Sequence, residues 1–169
     1  ARVFSWLTDA ALARIHITVR TTPGRIPPFD RRAVEAQLAV AARRWEDDLR
    51  EELSARLDEA DAAQLLRHFG TAFPASYREH IDAASAVEDL QSLRRLARTE
   101  LVLSLYRPRN AAPHRLGFKV YRGSAPVPLS DSLPMLEHMG VRVLSERPYE
   151  ITPDGAEPMW IHDFELEVP

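Results

Sequence analysis

At 169 residues the chain is long enough to bury one good core, or one core with a helical appendage. It carries 22 basic against 25 acidic residues for a net charge of −3, and it has no cysteine, which excludes disulfides, thiolate metal sites and cysteine nucleophiles together. No stretch approaches the roughly 18 apolar residues of a membrane span. Nothing has the basic start and apolar centre of a signal peptide. The basic residues, all arginine except Lys119, are interspersed with acids, whereas a nucleic-acid partner would want a concentrated basic face. The expectation is a cytoplasmic domain excised from a longer chain, with neither membrane nor nucleic acid as partner.

Residues 12–20, LARIHITVR, alternate cleanly: Ala13, Ile15, Ile17 and Val19 point one way, Arg14, His16, Thr18 and Arg20 the other. A period of two predicts a strand with one buried face. Pro23, Gly24, Pro27 and Pro28 break it. Asp30 then stands as an N-cap, with Phe29 placed to pack on Val34 as a hydrophobic staple. The stripe Val34, Leu38, Ala42, Trp45, Leu49, Leu53, Leu57 advances in steps of three or four and predicts one long amphipathic helix whose apolar side packs on a sheet.

From Asp58 to Ala97 the pattern stays helical but broken. Gly70 ends one segment, Pro74 starts another, and Ser85 with Glu88 reads as a capping box, which makes two or three helices. Thr99–Arg107 and Arg115–Arg122 read as two strands joined by a turn, a hairpin. A short helix over 131–139 is stopped by Gly140, which accepts the left-handed turn other residues resist. Two strands follow, VRVLSERPYEI and MWIHDFELEV; in the last, Trp160, His162, Phe164, Leu166 and Val168 share a face. Without the extra helices the order is β-α-β-β-α-β and then another β. That is the ferredoxin-like arrangement, an α+β antiparallel sheet with two helices on one side. The division read from the sequence is a single domain over 1–169 with a helical insertion at about 58–97.

The motifs exclude more chemistry than they offer. No GxGxxG follows a strand, so no dinucleotide cradle is expected. Six histidines lack metal-site spacing, which points to no metal site. Ser104, Ser124, Ser130 and Ser132 lie outside any GxSxG elbow, and Ser130 and Asp131 read as helix-start residues. Lys119, mid-strand, reads as a solvated side chain. His162, between Trp160 and Phe164, reads as a hydrogen-bonded core or interface histidine, the alternative being a proton-linked switch. Asp9 and Asp163 read as satisfying turn or edge amides. No catalytic residue is expected.

GRIPPFD (24–30), FPASYRE (73–79), LSLYRP (103–108), LSDSLPMLEHMGVRV (129–143), ERPYEI (146–151) and the closing WIHDFELEVP occur in an order and spacing that resembles the amino-terminal, non-catalytic part of the large bacterial NAD-specific glutamate dehydrogenases. The resemblance covers almost the whole chain. It implies an ACT-like fold and a regulatory or assembly role. It implies NAD only in a catalytic domain elsewhere in the parent, with no cofactor in this segment. Its implied partners are other domains of the same chain, a homo-oligomer and an amino-acid effector. By position in ACT-like domains, the loop holding Thr22, Gly24 and Arg25 would contact that effector; the alternative for this loop is a structural turn. Alternatives for the whole segment are an architectural spacer and a free-standing amino-acid sensor.

Overall fold

A computed structural model describes residues 2–6, 14–18, 30–41, 43–109 and 111–168, which fall into two compact units, residues 1–42 and 43–169. In the first unit, strands β1 (Arg2–Trp6) and β2 (Arg14–Thr18) pair antiparallel, with Arg2 opposite Thr18 and Trp6 opposite Arg14. Helix α1 (Arg31–Ala41) follows. The predicted cap holds: the Asp30 carboxylate accepts from the Arg32 amide at 2.8 Å. The staple partner Phe29 lies outside the described residues.

The second unit opens with helix α2 (Trp45–Arg56), so the single long helix expected from the stripe is two helices. The break has an electrostatic cause. Glu46, Asp47 and Asp48 crowd the first turn of α2, where unpaired amides and the helix dipole favour negative charge. Arg43 folds onto that turn, pairing with Asp48 at 2.9 Å and with Glu51. Arg44 takes an extended conformation between the helices.

Helices α3 (Glu59–Phe69), α4 (Ala75–His80) and α5 (Ala83–Arg95) complete the helical layer. Asp58 caps α3 by accepting from the Asp61 amide. The cap of α5 is Asp82, which accepts from the Ser85 amide at 2.7 Å; Ser85 is therefore the third helical residue and not the cap expected. An acid at the cap outcompetes the serine because a charged acceptor binds the free amide more strongly.

The sheet is built from β3 (Leu101–Tyr106), β4 (Arg115–Gly123), β5 (Arg142–Ile151) and β6 (Met159–Glu167), with helix α6 (Leu129–His138) between β4 and β5. Gly140 ends α6 at φ +79°, as its position predicts. The order is β3-β4-β6-β5, antiparallel throughout. This is the α+β ferredoxin-like class, reached by an unexpected route. The run α5-β3-β4-α6-β5-β6 is β-α-β-β-α-β begun one element late, and the central strand that would come first is supplied last, as β6. The strand expected to open the sheet pairs instead with β1 in a separate ribbon.

The helices cover both faces, not one. Val102, Tyr121, Ile161 and Tyr149 stand opposite one another across the four strands and join the core of α2 to α5. On the other face Val120, Phe164 and Leu166 pack with Leu136 of α6. Neighbours such as Val120 and Tyr121 point to opposite faces, so each face has apolar surface to cover. Burying a large apolar side chain contributes about 1.5–3 kcal/mol, and Leu49, Leu53, Leu90, Leu93 and Ile161 are fully buried.

Candidate functional site

The chemistry of the second unit is concentrated on the sheet face beneath the helical layer. Helix α5 turns Ala86, Val87, Leu90 and Leu93 inward, and Asp89 stands among them, 2% exposed. Lys119 of β4 meets it. Its Nζ donates to both Asp89 oxygens, at 2.8 and 2.7 Å, while the Tyr77 and Tyr121 hydroxyls donate to the same carboxylate at 2.5 and 2.7 Å. Burial, reinforced by the Asp89 charge, pushes both phenols well above their ordinary range, so they remain donors. Lys119 is 5% exposed, which corrects the solvated reading. Locked on Asp89, its amine is not poised as a nucleophile or base.

One row along the strands the packing thins into a polar shelf. The Tyr106 ring lies over Gly117, where an added Cβ would come within 2.1 Å of it. The missing side chain lets the phenol cross β4 and donate to Asp163 on β6 at 2.8 Å. Lys119 Nζ lies 5.2 Å from the centre of the same ring, a cation–π contact. Asp163 thus serves a side-chain hydroxyl, not the turn or edge amides expected of it. Burial raises its carboxyl above the usual range, opposed by the Lys119 charge and the Tyr106 hydrogen bond. Arg147 stands opposite on β5, and a cavity of about 250 Å³ opens between Tyr106, Pro108, Gly117, Arg147, Asp163 and Glu165. That is smaller than the ~300–1,000 Å³ of sites for drug-sized ligands. Tyr149, next to this row, is pushed up to about 12 by burial. Its hydroxyl is buried with no hydrogen-bond partner among the described residues.

His162 occupies the opposite face, 2% exposed, between the rings of Trp160 and Phe164. Its Nε2 accepts from the Val127 amide at 2.9 Å, so the ring hydrogen is on Nδ1 and donates to Glu146 at 2.7 Å. The core-histidine expectation therefore describes it. Ser130 and Asp131 sit in the first turn of α6, as expected of helix-start residues, but the Ser130 hydroxyl donates to Asp131 at 3.2 Å and the cap position is Pro128. Thr22, Gly24, Arg25 and Asp9 lie outside the described residues. Among the described residues no group of three or more His, Asp or Glu is placed to hold a metal ion, and no helix is long and apolar enough to cross a membrane.

Sequence reasoning missed Asp89 and Tyr77. The signal was present: an acid in the apolar stripe of an amphipathic helix needs a buried partner. Lys119 alternates with Gly117 and Tyr121 on one strand face, which marks it as that partner.

A ferredoxin-like sheet of the ACT type, with its charged side chains committed to one another, defines a class of accessory domain and not a catalytic one. Three family models match in sequence order: the glutamate dehydrogenase ACT2 domain over residues 2–46, helical motif 2 over 52–96 and the ACT3 domain over 100–169. The NAD-specific glutamate dehydrogenase of Halomonas elongata is 41% identical over 96% of this chain, and that of Pseudomonas aeruginosa 36% over 95%. That of Mycobacterium tuberculosis is 32% identical over 83%. The chain therefore belongs to the glutamate dehydrogenase family, as its ACT2, helical motif 2 and ACT3 portion. It spans about 10% of the length of the Halomonas and Pseudomonas relatives. A segment made of ACT and helical-motif parts is non-catalytic alone.

Proposed function

We propose that this segment is a regulatory and assembly region of a large NAD-dependent glutamate dehydrogenase, whose hydride transfer between glutamate and NAD takes place in another part of the same cytoplasmic chain. The observation that carries the reading is the ordered match to ACT2, helical motif 2 and ACT3 in a chain about a tenth as long as its relatives. NAD binds elsewhere in this reading, since no Gly-rich phosphate cradle is present. The helical segment is a structural layer of the ACT3 sheet, because residues from α2 to α5 and from all four strands share one core. Leu101, Leu103 and Leu105, at 44, 53 and 63% exposure on edge strand β3, supply an apolar row suited to a neighbouring domain or subunit.

The effector contact at Thr22, Gly24 and Arg25 belongs to the same proposal. Arg25 would supply a charge-assisted hydrogen bond to an amino-acid carboxylate and Gly24 a close backbone approach. The test uses the full-length enzyme. Leu103→Asp with Leu105→Asp is expected to shift its sedimentation, and Gly24→Val with Arg25→Ala to abolish the response of its activity to added amino acids. Unchanged sedimentation and unchanged amino-acid response would leave the architectural spacer as the reading.

A further inference from the structure

His162 holds more than its own place in the core. The connection from β4 to α6 crosses its ring, and four bonds tie that crossing down. The Ser124 amide donates to the Pro158 carbonyl at 2.9 Å, Arg122 to the Pro126 carbonyl at 3.3 Å, the Val127 amide to His162 Nε2 at 2.9 Å and the Ser132 hydroxyl to the Pro128 carbonyl at 3.3 Å. Only the Val127 bond depends on an acceptor that can take a proton. With Nδ1–H already given to Glu146, a proton arriving from solvent can enter only at Nε2. There it would face the Val127 N–H, donor against donor, and the two cannot remain at hydrogen-bond distance.

The surroundings favour the charged ring once the loop has moved. Glu146 of β5 is already on Nδ1, and Glu150, one row along on the same face, adds negative charge. From β4 the opposing cation is Arg122, opposite Trp160, while Val120 and Pro148 directly oppose His162. On β6 the flanking residues are Trp160 and Phe164, and the charged or titratable side chains of α6, Asp131, Glu137 and His138, are exposed. We infer that His162 is a proton-operated latch: neutral, it holds the β4–α6 connection through Nε2; protonated, it releases Val127, stays paired with Glu146, and loosens α6 from Val120, Phe164 and Leu166. The element with two arrangements is α6, packed or lifted. The device stands on the geometry around His162 and is independent of the regulatory reading.

Hydrogen exchange read by mass spectrometry on the full chain tests it, from about pH 8 to pH 5, where imidazole ordinarily changes charge. After correction for the intrinsic pH dependence of exchange, the amides of 124–138 are expected to exchange at least tenfold faster at the acid end. The midpoint should coincide with that of exchange at the His162 ring C–H, while the amides of α5 stay protected. Glu146→Gln keeps an acceptor for Nδ1–H but removes the charge that holds the imidazolium, so it should move both midpoints to lower pH together. Protection of 124–138 that persists until α5 loses its own would overturn the latch, and so would a Glu146→Gln midpoint that does not move.

Discussion

At the scale of single residues, the Asp89 cluster turns an ordinary strand lysine into a structural element. Removing Lys119 leaves a buried carboxylate with only the two tyrosine donors, and breaking a buried pair from one side costs about 3–5 kcal/mol. Lys119→Met should lower stability by that amount, read as a shift in the urea midpoint at unchanged slope. A cost below about 1 kcal/mol would mean Asp89 is solvated. Asp163 has the opposite character. Its folded carboxyl is raised, chiefly by burial, so the native state holds that proton more tightly than the unfolded chain does. Its contribution is complete when it is protonated and is lost as pH rises from the ordinary carboxylate range through the raised folded value. Asp163→Asn keeps an acceptor for Tyr106 and removes that penalty. We expect it to match or exceed the wild type by up to about 1 kcal/mol at pH 7, with the advantage shrinking toward pH 4 in paired urea titrations. A variant less stable at pH 7 than at pH 4, relative to wild type, would show that Lys119 and Arg147 outweigh burial. The alternation of β4 was legible in the sequence, but it cannot say which face a helix covers, and Lys119 was misread for that reason.

At the scale of elements, the sequence periodicities located nearly every helix and strand of the second unit, since those patterns are imposed by which side meets the core. The break between α1 and α2 was not legible, because Arg43 and Arg44 are neither glycine nor proline and the stripe runs on through Trp45. What interrupts it is a cluster of acids at a new helix start. Trp45 is consequently the first residue of α2 and not the middle of a longer helix. It is half-buried, its indole N–H donates to the Ile81 carbonyl at 2.9 Å, and its ring meets Phe73 and Tyr77 edge-on at 5.2 and 6.0 Å. It clamps α2 to the α4 region instead of packing on the sheet. Trp45→Phe should remove only the hydrogen bond, about 1 kcal/mol. Trp45→Ala should also empty the aromatic cluster, about 3 kcal/mol in all. Equal losses in the two variants, measured by denaturant titration, would mean the N–H carries the whole contribution.

At the scale of the molecule, sequence families and physical units divide the chain differently. The family boundaries fall near residues 46–52 and 96–100, whereas the compact units meet at residue 42. The class of sheet was legible because any βαββαβ cycle implies it. Which strand fills the centre was not, because β2 and β6 both offer clean alternation and only pairing decides between them. The core settles which boundary matters for stability. Leu90 and Leu93 of α5 are wholly buried in one cluster with Val102, Tyr121, Tyr149 and Ile161 of the sheet, and the Lys119–Asp89 pair crosses the same seam. Starting the chain at Arg43 should therefore preserve a single cooperative thermal transition for the remainder, detected by circular dichroism and by calorimetry. Starting it at Thr99 keeps the whole matched ACT3 segment but uncovers Tyr121, Ile161 and Tyr149 and strands Lys119 without its carboxylate. That shorter chain is expected to lose the cooperative transition and to bind a hydrophobic dye, and a sharp transition from it would show that the ACT3 sheet is stable without its helical layer.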